Sequence, residues 1–582
     1  MRRPAIPALL AALGTLALSA SASAAVKKLT FQVPVTTPDD TGAKVLIDTD
    51  VYLPDGFKPS DRRPFIEVFH GGGSDKANAF DAGHAKFFAE HGYVSLIYSQ
   101  RGHGNSGGLT SVAGPPEMRD LFDVTHWALG QKFGIDPKRI GLTGYSQGGL
   151  STNLAQVWSF DRLLNPYGIH FKVLEPGNTP EYIADALVPG GVTKLSVGVG
   201  LIETYAIGAH AHVSPLVPKW IGTASADQLY ATGSDKCETE PHDTLTSTTL
   251  ADLAVRSVGC FVPRMNLPVH WAQAFDDNVF ESSMGVNMWR RMPDHAVNRL
   301  YLSMGGHAAP SAPDAVEKDK LRDQLAYFDF ALRGAPLQLP VVTYWSRDPK
   351  VQVKADAFKY PKGSWERHVA PSWPPPGFKS TPFALSDDGT LTTLKAAKDG
   401  SLPLAGAQAD PGSDGVLQAA FSATPLGATP LAAGTAGTNS PGAVAGFTGP
   451  VSDRDHDLSG RTTARVRWTP NVPDTQVVLK LWDRAPDGTL TLFARGVRGL
   501  RNATPGADRT LTFSTNDYSL ELDKGHSVLA TVTAGDASFY KAYAGSSAGG
   551  ILGAGAVSTI TLPLRAALPR GAGSARLPDR AG

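Results

Sequence analysis

Gly144-Tyr145-Ser146-Gln147-Gly148-Gly149 follows the short apolar run Arg139 to Thr143 and leads into Leu150-Ser151-Thr152-Asn153-Leu154-Ala155. The order reads as a strand, a sharp turn and a helix, with a serine at the apex. A serine hydroxyl is a weak nucleophile at neutral pH and needs a base to take its proton. A strained turn exposes its Oγ, flanking glycines let strand and helix approach, and the helix N-terminus aims N–H groups at the reacting oxygen. Ser146 is therefore the expected nucleophile. The same pattern occurs a second time, in Gly104-Asn105-Ser106-Gly107-Gly108. That copy lies in a polar, glycine-rich stretch with no helical pattern directly behind it. Ser106 is the weaker candidate, because a small residue can simply fill a turn.

A strand, an elbow and a helix around Gly-x-Ser-x-Gly are the signature of the α/β-hydrolase fold, whose triad runs Ser, then Asp or Glu, then His, each at a strand's C-terminal end. The chain offers both partners in that order. After the strand-like Val269-His270-Trp271-Ala272 comes Gln273-Ala274-Phe275-Asp276-Asp277-Asn278-Val279-Phe280. Proteins of this fold commonly read Gly-x-x-Asp here, and Ala274 can stand for the glycine, which favours Asp277. Asp276 stays open as the alternative, and a solvated turn with two charges is the bland reading. After Arg299-Leu300-Tyr301-Leu302-Ser303, the segment Met304-Gly305-Gly306-His307 puts a histidine on a flexible turn. Of the 15 histidines, only His295 shares that interval, and it precedes the strand. His307 is the expected base.

An oxyanion hole needs two N–H groups. One is expected from Gln147, the other from His70-Gly71-Gly72-Gly73, which follows an apolar strand and is similar to the His-Gly-Gly-Gly loops of esterases and lipases; Gly72 is the first choice. Two rival motifs lose on context. Gly102-His103-Gly104-Asn105-Ser106-Gly107 fits a dinucleotide fingerprint, but Pro115-Pro116 follows and no helix starts on the last glycine. Asp453-Arg454-Asp455-His456-Asp457 could suggest calcium, yet a solvated hairpin loop explains it as well. No Cys-x-x-Cys or His-Glu-x-x-His occurs, so no metal and no cofactor are expected.

The elements that must position these residues alternate. Lys44–Tyr52, Pro64–Phe69, Tyr93–Tyr98, Arg139–Thr143, Phe171–Leu174, Val269–Ala274 and Asn298–Ser303 read as strands. Ala77–His91, Met118–Phe133 and Asp314–Arg333 read as helices. This rhythm predicts an α/β class: a doubly wound, mostly parallel sheet covered on both faces. From about 175 to 268 the pattern is helical and loop-like, as expected of a cap inserted over the site. From about 340, short strands at Val341–Trp345, Thr463–Trp468, Gln476–Trp482, Thr489–Arg495, Thr510–Ser514 and His526–Thr533 predict an all-β sandwich or jelly roll. The domain reading is thus 25–339 catalytic and 340–569 all-β, with a loose Ala405–Gly449 connection and a disordered tail at 570–582.

At 582 residues the chain needs more than one core. Lys+Arg and Asp+Glu balance at 54 each, which gives no support for nucleic acid as partner. Arg2-Arg3, the apolar Ala8–Leu18 and Ala22-Ser23-Ala24 read as a signal peptide over 1–24, because Ala8–Leu18 is short of the about 20 residues a bilayer takes. An uncleaved anchor is the alternative. Export favours a disulfide between Cys237 and Cys260, worth roughly 3 kcal/mol, over two free thiols.

With the triad placed, the chain resembles the Xaa-Pro dipeptidyl-peptidase and cocaine-esterase-like serine hydrolases over nearly all of its mature length. Arg101-Gly102-His103-Gly104-Asn105-Ser106-Gly107-Gly108 is similar to the family's Asp-x-Arg-Gly-x-Gly-x-Ser-x-Gly loop, with Ser99 in place of its aspartate. Ala184 to Gly191, Gln273 to Phe280 and Tyr327 to Gly334 are similar to its segment after the sixth strand, its acid turn and its closing helix. Gln147 stands where the family usually has Tyr, and Gly71 to Gly73 offer backbone only where several members use a Tyr hydroxyl. The resemblance implies a C-terminal jelly roll and an acyl-enzyme mechanism. It leans toward Xaa-Pro dipeptidyl-peptidase activity on peptide bonds; a carboxylesterase or acylase is the alternative, and a non-catalytic binding protein on a hydrolase scaffold the remote one. A peptidase of this kind must hold a free α-amine, which makes Asp185 and Glu203 of the cap candidate substrate-binding carboxylates.

Overall fold

A computed structural model describes residues 26–194, 212–225, 236–237, 245–293, 296–304, 306–307, 314–347, 365–398, 401–404, 444–536, 539–541, 549–553 and 557–565. The expected signal peptide at 1–24, Glu203, His295, most of the Ala405–Gly449 connection and the expected tail at 570–582 lie outside the described residues.

Ten strands form one continuous layer: β1 (Lys27–Pro34), β2 (Leu46–Leu53), β3 (Arg63–Phe69), β4 (Val94–Tyr98), β5 (Ile135–Tyr145), β6 (Val173–Gly177), β7 (His270–Ala274), β8 (Arg299–Ser303), β9 (Val342–Arg347) and β10 (Trp365–Ala370). They lie side by side in the order β1-β2-β4-β3-β5-β6-β7-β8-β9-β10. Pairing is parallel from β4 through β9 and antiparallel at both margins. The central strands β4, β6, β7 and β8 are buried throughout, as strands covered on both faces must be.

The helices are α1 (Ala79–Glu90), α2 (Pro115–Gly130), α3 (Gln147–Trp158), α4 (Ile183–Leu187), α5 (Leu216–Ser225), α6 (Leu245–Ala254), α7 (Ser282–Arg291) and α8 (Asp314–Arg333). Alternation along β3 sorts them by face. Phe65 and Phe69 pack with Leu121 and Phe122 of α2 and Leu150 and Leu154 of α3. Ile66 and Val68 pack with Phe88 of α1 and Phe328 of α8. The doubly wound architecture thus follows from a period-two strand between two sets of period-3.6 helices.

The described part of the cap is helical: α4, α5, α6 and a tight turn at Val258–Arg264. It begins after Gly177 rather than at 175, because Pro176 and Gly177 still pair with Gly144 and Tyr145. Cys237 and Cys260 are joined as a disulfide within it. Segment 212–214 is stitched to the loop after β4: Thr110 N–H donates to His212 O at 2.7 Å, and His212 N–H to Gly102 O at 2.6 Å.

The C-terminal region is all-β. Val444–Thr448, Thr475–Arg484, Leu490–Leu500 and Ser527–Thr533 form a four-stranded antiparallel sheet. Opposite lies a second sheet built on Phe378–Leu385, His456–Pro470, Arg509–Leu522 and Ser558–Arg565. Phe447, Trp468, Leu479 and Ile560 fill the space between them. The sequence pattern assigns Val341–Trp345 to this β-region, but β9 pairs in parallel with β8 and extends the catalytic sheet, with β10 antiparallel beyond it. A short strand carries no mark of which sheet it joins. β9 also pairs with the β-sandwich, in parallel, where Arg347 lies opposite Leu520.

Candidate active site

The first element of the site is the turn between β5 and α3. Ser146 sits at φ 58°, ψ −123°, in the positive-φ region that a non-glycine residue enters only when its surroundings hold it there. Its N–H donates to Gly177 O at 3.0 Å, and its carbonyl accepts from Leu150 N–H at 2.9 Å. The neighbouring glycines are required by approach distance. A Cβ on Gly148 would lie 2.2 Å from Phe69 O, and one on Gly144 2.6 Å from the Gly148 carbonyl carbon. Strand, elbow and helix can close together only without those side chains.

The structure brings Ser146, His307 and Asp277 into one hydrogen-bonded line. Ser146 Oγ donates to His307 Nε2 at 2.8 Å. His307 Nδ1 donates to the Asp277 carboxylate, at 3.0 Å to Oδ2 and 3.1 Å to Oδ1. The Asp277 side chain is wholly buried, and Oδ1 also accepts the N–H groups of Val279 and Phe280, each at 2.8 Å. That arrangement fixes the carboxylate rotamer and lets it orient the imidazole. The Phe280 ring packs edge-on to the His307 ring, centroids 5.2 Å apart. Asp276, the competing acid, points elsewhere and accepts Gly306 N–H at 2.9 Å.

The loop after β3 faces the elbow. A Cβ on Gly71 would stand 3.6 Å from the Ser146 Cβ. Two histidines brace this loop, and neither was singled out as functional from sequence. His70 Nδ1 donates to Gly71 O at 2.7 Å, while its Nε2 accepts Gln100 N–H at 2.8 Å. His103 accepts Gly73 N–H on Nε2 at 3.2 Å. Burial lowers both histidines' pKa, His70 to about 3, so His70 remains a neutral ring with one donor and one acceptor. Burial pushes the Asp81 carboxyl up to about 8, with the Gly71 N–H pulling weakly the other way. Among the described residues the Gly72 N–H has no hydrogen-bond acceptor. The Gln147 side chain turns under the elbow to donate to Gln100 Oε1 at 3.3 Å, and Ser151 Oγ donates to the same oxygen at 3.0 Å.

The remaining candidates fall elsewhere. Ser106 is buried; its Oγ donates to Ser99 O at 2.6 Å and accepts Asp48 N–H at 2.9 Å. Asp185 makes an ion pair with Lys236 at 2.8 Å on the cap. No helix starts at Gly107, since α2 opens only at Pro115. Asp455 accepts Lys524 N–H at 2.9 Å and lies with Glu521 and Asp523, on the β-sandwich and outside the triad. The β-sandwich meets the acid turn directly: Asn516 Nδ2 donates to Phe275 O at 3.1 Å, and Ser282 Oγ donates to Asp517 O at 2.7 Å.

Known proteins agree with this architecture. Residues 40–163 match the X-Pro dipeptidyl-peptidase (S15 family) model, and residues 337–543 the X-Pro dipeptidyl-peptidase C-terminal non-catalytic domain. No curated protein matches the chain. Among solved structures, an α-amino acid ester hydrolase is similar at TM-score 0.67 and 15% identity, over 96% of this chain and 100% of that one. An aminopeptidase from a marine sediment Thaumarchaeota archaeon is similar at TM-score 0.66 and 13% identity, over 92% and 96%. A CocE/NonD family hydrolase from Staphylococcus aureus is similar at TM-score 0.63 and 13% identity, over 94% and 97%. At such identities the structural likeness speaks for the fold. Fold and family matches together define a serine hydrolase of the α/β-hydrolase class. Within that class the chain carries the X-Pro dipeptidyl-peptidase (S15 family) domain and that family's C-terminal non-catalytic domain, the latter an all-β region consistent with a jelly roll.

Proposed function

We propose that the chain is an exported hydrolase that cleaves peptide bonds through an acyl-enzyme, in the manner of an Xaa-Pro dipeptidyl-peptidase. The observation that carries the mechanism is the line from Ser146 Oγ through His307 to Asp277. Ser146 Oγ attacks the substrate carbonyl carbon as His307 Nε2 takes its proton. The tetrahedral oxyanion is held by the N–H groups of Gln147 and Gly72. His307 then returns the proton to the leaving amine as the C–N bond breaks. Water enters, gives a proton to His307, and its oxygen displaces Ser146 Oγ from the acyl carbon; the same proton restores the serine hydroxyl. Asp277 stays ionised and stabilises the imidazolium formed in each half.

The peptidase reading is supported by two family models of one kind, one for each part of the chain. The substrate's free α-amine would need a cap carboxylate. Asp185, which pairs with Lys236, and Glu203 are the residues to test. The second reading, a carboxylesterase or acylase, is favoured by structural neighbours named as an ester hydrolase and a CocE/NonD hydrolase. Hydrolysis of an Ala-Pro anilide and of a short-chain p-nitrophenyl ester, by wild type and Ser146→Ala, separates them. Anilide cleavage lost in the variant supports the peptidase; ester turnover alone, lost in the variant, moves the substrate class to esters. Sequencing the N-terminus of secreted protein tests export, with Ala25 the expected first residue.

A further inference from the structure

The triad histidine sits on a glycine turn, yet its geometry needs a defined ring position. What holds that turn is legible in the backbone atoms of Gly306, the residue just before His307. Its N–H donates to Asp276 Oδ1 at 2.9 Å. Its carbonyl accepts from Asn178 Nδ2 at 3.2 Å. Both polar atoms of one peptide neighbour are thus held by side chains from two different loops.

Asn178 does more than hold Gly306. It immediately follows β6, and its backbone lies in the left-handed region at φ 42°, which asparagine tolerates better than most residues. Its N–H donates to Ala272 O at 2.9 Å, and its Oδ1 accepts Ala274 N–H at 2.9 Å, at the end of the strand that carries the acid turn. The preceding residue, Gly177, accepts the N–H of Ser146 itself. One buried dipeptide therefore touches the nucleophile turn, the acid strand and the histidine loop. The amide orientation is forced: Ala274 N–H can only donate and Gly306 O can only accept. The amide satisfies both, whereas the isosteric aspartate, ionised at neutral pH, could only accept.

We propose that Asn178 is a positioning residue for the triad, acting through Gly306 to set the His307 ring and through Ala274 to set the Asp277 turn. The assignment rests on the serine-hydrolase reading above. Misplacing a reacting group by about 1 Å can cost on the order of 100-fold in rate. A residue that acts only through alignment should change turnover and leave substrate binding alone.

The test is steady-state kinetics of the full chain carrying Asn178→Gly, which keeps the left-handed backbone and removes the side chain. The expected result is a fall in kcat of about 10- to 100-fold with KM within about twofold. The same substitution in a His307→Ala background should have almost no further effect, because groups acting as a unit are non-additive. Asn178→Asp, which keeps the acceptor for Ala274 but sets an oxygen against Gly306 O, should lose at least as much kcat and decides the matter if the glycine variant does not fold. Unchanged kcat in a folded variant, or an undiminished loss in the His307→Ala background, overturns the proposal. If Ser146→Ala keeps full activity, it is the hydrolase reading that has failed.

Discussion

Two segments of this chain carry Gly-x-Ser-x-Gly, and they do opposite things. At Gly144–Gly148 the serine is forced to φ 58° and its Oγ meets His307. At Gly104–Gly108 the serine is buried and both capacities of its Oγ are used on backbone, Ser99 O and Asp48 N–H. One hydroxyl is presented to chemistry; the other ties the loop after β4 to β2. The five-residue pattern cannot tell them apart. The elements around it can, because only the Gly144–Gly148 copy runs from a buried strand end into a helix whose first turn begins at the residue after the serine.

The sharpest way to break this contrast is to remove each hydroxyl. Ser146→Ala should lower kcat by about 10⁶-fold, the scale of losing a triad nucleophile. Ser106→Ala should leave kcat within about twofold and instead cost about 1–3 kcal/mol of stability, since it leaves the buried Asp48 N–H without an acceptor. Steady-state rates and denaturant unfolding read both. The paired aspartates offer the next contrast. Asp277→Asn should cost about 10⁴-fold in kcat by favouring the wrong His307 tautomer. Asp276→Asn, whose amide oxygen can still accept Gly306 N–H, should cost far less in the same assay.

The glycines sharpen the comparison on the side of stability. Gly148→Ala would put a Cβ 2.2 Å from a backbone oxygen and should destabilise by about 3 kcal/mol or more. Gly107→Ala meets nothing closer than 3.7 Å and should shift the unfolding midpoint little. The smallest effect lies opposite the elbow. Asp81, buried with its pKa near 8 against an ordinary 3.8, binds a proton in the folded state that the unfolded chain has released. Between about pH 4 and 8 folding stability should therefore fall as pH rises. Asp81→Asn should flatten that slope, seen as a smaller difference between denaturant midpoints at pH 5 and pH 8.

The triad was legible in the sequence because each member follows an apolar strand and the order is fixed by the fold. Helix 314–333 was legible to its ends, and α2 was entered three residues late because Pro115 and Pro116 form its first turn. β1 was missed: its Lys27, Lys28 and Gln32 face solvent on an edge strand, so no apolar run marks it. The strands of the β-sandwich were found short, as with Thr463–Trp468 inside His456–Pro470, because alternation with exposed polar residues blurs the ends. Asn178, His70 and His103 left no local signal. Their roles depend on partners in other loops that only folding brings near.

Covalent trapping tests the central claim most directly. The full chain would be treated with a serine-directed phosphonate and its adduct mapped by peptide mass spectrometry. The account predicts one modified residue, Ser146, with labelling abolished in His307→Ala. An adduct on Ser106, or labelling that persists undiminished in Ser146→Ala, would contradict it.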